Sequence, residues 1–111
     1  MSPEADVRIR HMRDAARHAV EFLGDRSLDQ LRADTQLMLA LVKCIEIIGE
    51  AANHLPHETT ERMPDVPWPQ IVNMRHRLVH SYFDINIEIL YRTVTDDLPP
   101  LLDSLDDYLG Q

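Results

Sequence analysis

Cysteine, glycine and aromatic side chains are all scarce in this 111-residue chain, and each scarcity excludes something. The single cysteine, Cys44, rules out an intramolecular disulfide, and its apolar neighbours mark it as a buried, inert thiol. Three glycines, 5% aromatics and no alternating runs of β-branched residues exclude a strand-rich fold. No stretch approaches the roughly 20 apolar residues needed to span a bilayer. Acids and arginines stand near the N-terminus where a secretion signal needs an apolar core, so a soluble, cytoplasmic protein is expected. Basic residues are also in deficit, eleven against nineteen acids for a formal charge of -8. A broad basic surface that coats nucleic acid is therefore excluded, and any such contact must be local. The chain is long enough for one core and too short for two, which predicts a single domain over 1–111.

What remains is rich in Leu, Ile, Ala, Arg and Glu, and it reads as all-α. Ser2 and Pro3 are a capping hydroxyl and a first-turn proline, and Gly24 closes the helix they open. Ile9, Met12, Ala16, Ala19, Val20 and Leu23 form its buried stripe, with Arg10, Arg13 and Arg17 off it. Ser27 caps a short second turn through Leu31. Asp34 caps a long helix to about His54, with Leu37, Leu41, Cys44, Ile45 and Ile48 on one face. Leu39, Ala40, Val42 and Ile47 fill much of the other, and a small domain has no way to bury both alone. A second copy is expected to cover it, giving a homodimer. The proline-rich stretch from Pro56 to Pro69 reads as a loop, and Pro67, Trp68 and Pro69 lead into a further helix. Asp84 is positioned to cap the last helix, whose apolar stripe runs from Ile87 to Leu109 and is kinked or restarted at Pro99 and Pro100. The total is a small up-and-down bundle of four to five helices.

The chemistry concentrates in RHRLVHSY, residues 75 to 82, on the C-terminal half of the helix after Trp68. Arg75 and His80 are five apart, so an ideal helix points them roughly 140° from each other. They converge on one site if the helix ends near His80, or if two copies each supply half of a pocket. His76 and His80, four apart, share a helical face, and Tyr82 lies close to the line of Arg75. Such a set suits cleavage of RNA. One imidazole takes the proton of a 2′-hydroxyl, another protonates the leaving 5′-oxygen, and guanidinium stabilises charge on the pentavalent phosphorus. Histidine populates both protonation states near neutral pH. Other readings of these residues stay open. Arg75 pairs with an acid and His80 is a helix-end histidine; Tyr82 is a core aromatic; or His76, His80 and Asp84 form a two-histidine, one-carboxylate metal site. Glu46, Glu50 and His54 repeat that spacing on the long helix.

Arg75-x4-His80-x-Tyr82, introduced by Pro67-Trp68 and followed by Asp97-Leu98-Pro99, resembles the HepT-like branch of the HEPN superfamily. Ile48-Gly49-Glu50-Ala51 matches that family's second helix, and the likeness covers nearly the whole chain. The resemblance implies a HEPN-like homodimeric bundle and a metal-independent endoribonuclease toxin without cofactors, with Arg75 and His80 catalytic in a cleft between protomers. It implies a partner too, an MNT-type nucleotidyltransferase antitoxin that attaches AMP to Tyr82. The family commonly carries Asn or Asp where this chain has His76, which leaves His76 as either a further acid–base group or an orienting one. A reading of a different class is a catalytically silent helical dimer that serves as a binding module for the nucleotidyltransferase.

Overall fold

The structure is a computed structural model, and it describes residues 3–81 and 84–110, without the side chains of His80 and Ser81. The capping role expected of Ser2 therefore lies outside the described residues. Helix α1 (Pro3–Leu23) ends where Gly24 turns to φ +57°, with its N–H donating to the Val20 carbonyl at 2.9 Å. Ser27 caps α2 (Leu28–Arg32): its hydroxyl accepts from the Gln30 N–H while the Gln30 side chain accepts from the Ser27 N–H, a reciprocal box. Asp34 caps α3 (Thr35–Asn53) by accepting from the Leu37 N–H at 2.9 Å. The starts of α2 and α3 fall where their capping side chains predict, and α1 ends at the glycine expected to close it.

The Pro56 to Pro69 stretch is not wholly a loop. It contains a short helix, α4 (His57–Glu61), because Pro56 at the N-cap position lacks an N–H that the helix would not use there. The indole N–H of Trp68 donates to the carbonyls of Thr60 and Met63, at 3.2 and 3.1 Å, and ties this segment to the start of α5 (Trp68–Val72). After a break at Asn73 the chain continues as α6 (Met74–Leu78), then becomes extended in β1 (Val79–Ser81). β1 pairs antiparallel with β2 (Asp84–Ile85), Val79 opposite Ile85 and Ser81 opposite Asp84. The helix expected to carry all of RHRLVHSY thus stops at Leu78. Asp84 is no cap either: the side chain of Asn86 accepts from the Ile89 N–H at 3.0 Å and starts α7 (Ile87–Arg92).

A π-helical turn, Thr93–Asp97, joins α7 to α8 (Leu98–Leu109). Pro99 and Pro100 have no N–H to donate four residues back, so the α-helical ladder is interrupted and the helix restarts with prolines in its first turn. The Thr93 hydroxyl takes up the Ile89 carbonyl at 2.7 Å. Helix α1 packs on α3 and α8, and α3 also packs on α5 and α6. Ile9, Met12, Leu41, Ile45, Ile48, Met74, Leu78, Leu90, Leu98 and Leu105 are fully buried between them. Each contributes about 1.5–3 kcal/mol by leaving water. The class is all-α apart from the short β1–β2 pair.

Of the residues expected on the outer face of α3, Val42 is buried in the core, whereas Leu39 and Ile47 remain 55% and 37% exposed. Val7 and Phe22 of α1 are exposed as well, and Phe22 stacks on His18 with ring centroids 5.6 Å apart. Among the described residues no helix is long and apolar enough to cross a membrane.

Candidate active site

Helix α6 is one turn and a half long, and burial of Met74 and Leu78 four residues apart orients it. Arg75, His76 and Arg77 between them are left exposed. The two arginines diverge. Arg77 faces Asp97 of the π-helical turn at 3.8 Å, while the Nε of Arg75 donates to Oε1 of Glu46 on α3 at 2.8 Å. Both members of the Arg75–Glu46 pair are about half-exposed, and Lys43 stands 4.0 Å from the other oxygen of Glu46. Arg75 is thus paired with an acid, as one reading of the sequence expected. Among the described residues its terminal Nη atoms make no hydrogen bond.

Arg75 and His76 form part of the wall of a cleft of about 850 Å³. Its floor is α3, with Lys43, Glu46, Ile47, Gly49 and Glu50. One wall is α5–α6, with Val72, Asn73, Arg75 and His76, and the other is α1, with Arg8 and His11. Gly49 sets how near α5 comes to α3: a Cβ at this position meets the Val72 carbonyl oxygen at 3.3 Å. The size lies within the roughly 300–1,000 Å³ typical of sites for small organic ligands.

Because α6 ends at Leu78, the 140° separation of Arg75 and His80 that a continuous helix imposes does not apply. Val79 has φ -116° and ψ 107°, and His80 follows on extended backbone. Where its side chain lies is outside the described residues, as is Tyr82 altogether. The helix end also removes the shared face that would have gathered His76, His80 and Asp84 around a metal ion. On α3, Glu46 is engaged by Arg75, and His54 Nδ1 lies 2.9 Å from the Glu50 carbonyl and 3.5 Å from its carboxylate. Among the described residues no three His, Cys, Asp or Glu side chains cluster as metal ligands would.

Sequence reasoning missed Arg8, His11, Lys43 and Asn73 as cleft residues. Arg8 and His11 are three apart on α1, and Lys43, Glu46 and Glu50 are three and four apart on α3, spacings that place each set on one helical face. Arg13 and Arg17 look elsewhere: Arg13 lies 3.4 Å from Asp14, and Arg17 lies 3.3 Å from Asp106 of α8.

Residues 12–107 match the family model described as "Ribonuclease HepT-like". The chain is 32% identical over 81 residues to "Probable ribonuclease HepT" of Thermococcus cleftensis, covering 73% of this chain and 74% of the relative. It is 40% identical over 85 residues to a "Putative RNase" of Caldanaerobacter subterraneus subsp. tengcongensis, covering 73% and 76%. A "Putative RNase" of Methanocaldococcus jannaschii is 32% identical over 103 residues, covering 87% and 82%. No solved structure matches the chain.

Proposed function

Because the chain belongs to the HepT-like ribonuclease family, we propose that it is a metal-independent endoribonuclease. In this reading it is a cytoplasmic toxin whose partner and antitoxin is an MNT-type nucleotidyltransferase. One observation carries the proposal: a cleft with Arg75 and His76 on its wall, formed by a helix that stops two residues short of His80. The reaction is internal transesterification. A bond forms between the ribose 2′-oxygen and phosphorus as the bond from phosphorus to the 5′-oxygen breaks. One imidazole accepts the 2′-hydroxyl proton, and a second returns a proton to the leaving 5′-oxygen. The Arg75 guanidinium, anchored through Nε by Glu46, presents its Nη groups to the phosphorane oxygens.

Two imidazoles are required, and a second copy of the chain supplies the other His80; His76 assists either one. The exposed Val7, Phe22, Leu39 and Ile47 on the α1 and α3 surfaces support such a homodimer. Transfer of AMP from ATP to the Tyr82 hydroxyl by the nucleotidyltransferase, with the bond to the β-phosphate broken and pyrophosphate released, places a bulky anion two residues from His80 and blocks the site.

The test is cleavage of labelled RNA in EDTA by the intact protein and by His80→Ala and Arg75→Ala. Each substitution is expected to lower the rate by roughly 10²–10⁴-fold, with a 2′,3′-cyclic phosphate left on the wild-type product. Full cleavage by folded His80→Ala, or a 3′-hydroxyl product, overturns the mechanism. Intact mass after co-production with the nucleotidyltransferase tests the modification, with AMP expected on the Tyr82 peptide. The Arg75–Glu46 ion pair favours a second reading. There Arg75 is structural, and the protein is a silent helical dimer that docks the nucleotidyltransferase. Under it, His80→Ala changes neither cleavage nor growth arrest.

A further inference from the structure

The cleft extends well beyond the residues to which the proposed reaction assigns a role. Its far wall is built by α1, from which Arg8 and His11 reach it, and Lys43 rises from its floor. Three permanent cations, Arg8, Lys43 and Arg75, therefore share the cleft with two carboxylates, Glu46 and Glu50. Both carboxylates are already engaged. Glu46 lies between Arg75 at 2.8 Å and Lys43 at 4.0 Å, and Glu50 faces His54 at 3.5 Å. Arg8 makes no ion pair among the described residues. On a chain of formal charge -8 the cleft carries an excess of positive charge.

Local charge of this kind is what a polyanion requires of an acidic protein. A strand held only at its scissile phosphate is free to rotate and slide, and phosphate contacts on either side fix its register without reading its bases. From Arg75, the floor of the cleft runs past Lys43 and Glu46 to α1. We propose that Arg8 and Lys43 hold the phosphates of nucleotides flanking the cut, so that single-stranded RNA lies across α3 from α6 to α1. The inference rests on the ribonuclease reading for the identity of the strand. It adds a binding track that neither RHRLVHSY nor its helix supplies. Asn53 and Asn73 line the same cleft; the Asn73 Nδ2 donates to the Pro69 carbonyl at 2.9 Å, which leaves its Oδ1 to accept from bases or ribose.

The experiment measures binding and cleavage separately. Binding is read by fluorescence anisotropy on a labelled 2′-O-methyl oligonucleotide of about a dozen residues, which keeps its phosphates and has no free 2′-hydroxyl to attack. Arg8→Ala and Lys43→Ala are each expected to weaken binding roughly three- to tenfold at low salt, and to reduce the salt slope of log affinity by about 0.7. With cleavable RNA the same variants raise KM and leave kcat near that of the wild type. Arg10→Ala removes the same charge from the same helix outside the cleft, and it leaves the slope unchanged. Unchanged affinity and slope for Arg8→Ala and Lys43→Ala overturn the track, even where the wild type cleaves RNA. So does a change in oligomeric state on Arg8→Ala, which makes this wall a subunit interface. If the wild type binds the oligonucleotide as described and cleaves no RNA, the nuclease reading falls and the track stands.

Discussion

Gly49→Val tests the packing that positions Arg75. Gly49 lies inside α3, where glycine costs about 0.5–1 kcal/mol relative to alanine, so its presence needs a reason. The reason is the backbone of α5: a Cβ on Gly49 stands 3.3 Å from the Val72 oxygen, 3.6 Å from the Ile71 oxygen and 4.0 Å from the Val72 carbonyl carbon. These neighbours are main chain, so no side chain turns aside to make room. Valine adds two further methyl groups at this crossing. Overpacking of this kind costs about 1–3 kcal/mol, and valine's better helix propensity returns only a few tenths. The net loss is about 1–2.5 kcal/mol, which lowers the melting temperature by roughly 4–10 °C in a domain of this size. Under the proposed mechanism the larger effect is on chemistry, because α5 leads through Asn73 directly into α6. Pushing α5 outward carries Arg75 away from Glu46, and a misplacement near 1 Å costs on the order of 10²-fold in rate. The checks are thermal unfolding by circular dichroism and RNA cleavage at 25 °C, where the variant is still folded. A variant that melts and cleaves like the wild type refutes this account of how the two helices are spaced.

Glu46→Gln removes the anchor of a half-exposed ion pair, so stability changes by less than about 1 kcal/mol while RNA cleavage falls; unchanged cleavage means that Glu46 does not hold Arg75 in place. Asp34→Ala deletes the α3 cap and costs about 1 kcal/mol, read as a lower urea midpoint, whereas Asp34→Asn keeps most of the stability; equal losses discard the cap. Burial pushes the Cys44 thiol above its ordinary value, leaving little thiolate, so alkylation of the native protein is slow and accelerates in urea. Burial, and then the Asp6 carboxylate to which its hydroxyl donates at 3.3 Å, push Tyr108 above the ordinary tyrosine value of about 10. The native fold therefore favours the neutral phenol. That contribution is complete below about pH 10 and disappears as pH rises through the raised value, so alkaline pH lowers the melting temperature of the wild type more than that of Tyr108→Phe. Parallel losses for the two proteins rule out this linkage.

Three helix boundaries, the starts of α2 and α3 and the end of α1, were legible in the sequence because each depends on a few adjacent atoms. Ser27 with Gln30, Asp34 with the Leu37 N–H, and Gly24 at positive φ all act within one turn of chain. The same reasoning placed a cap at Asp84, where Asn86 provides it, because a side chain that is able to cap occurs at both positions. The restart at Pro99 and Pro100 followed from their missing N–H groups. The width of the π-helical turn before them did not, since an extra residue per turn leaves no mark in composition. Val42 shows the limit of a helical wheel: its neighbours on α3 suggest an outer face, yet the helices packed around α3 bury it.

The site was legible as residue types and not as an arrangement. Arg75 and His80 stood out because charged and titratable groups interrupt an apolar pattern, but the helix end that frees His80 from the 140° constraint gives no local signal. Leu78 and Val79 have no proline or glycine beside them, and the switch to extended backbone accompanies pairing of Val79 with Ile85. The Asn86 N–H donates to the Leu78 carbonyl at 2.7 Å, a bond between residues eight apart. Contacts of this range depend on where α7 begins, which Asn86 determines by capping it. That Glu46 pairs with Arg75 and that Arg8 shares its cleft was invisible for the same reason, the two lying 29 and 67 positions from Arg75. What brings Arg75 to Glu46 is the glycine at position 49, which lets α5 approach α3 closely enough for the guanidinium to reach the carboxylate. A small residue on a helix, unremarkable by itself, thus determines the geometry of a charged pair on which any chemistry at Arg75 depends.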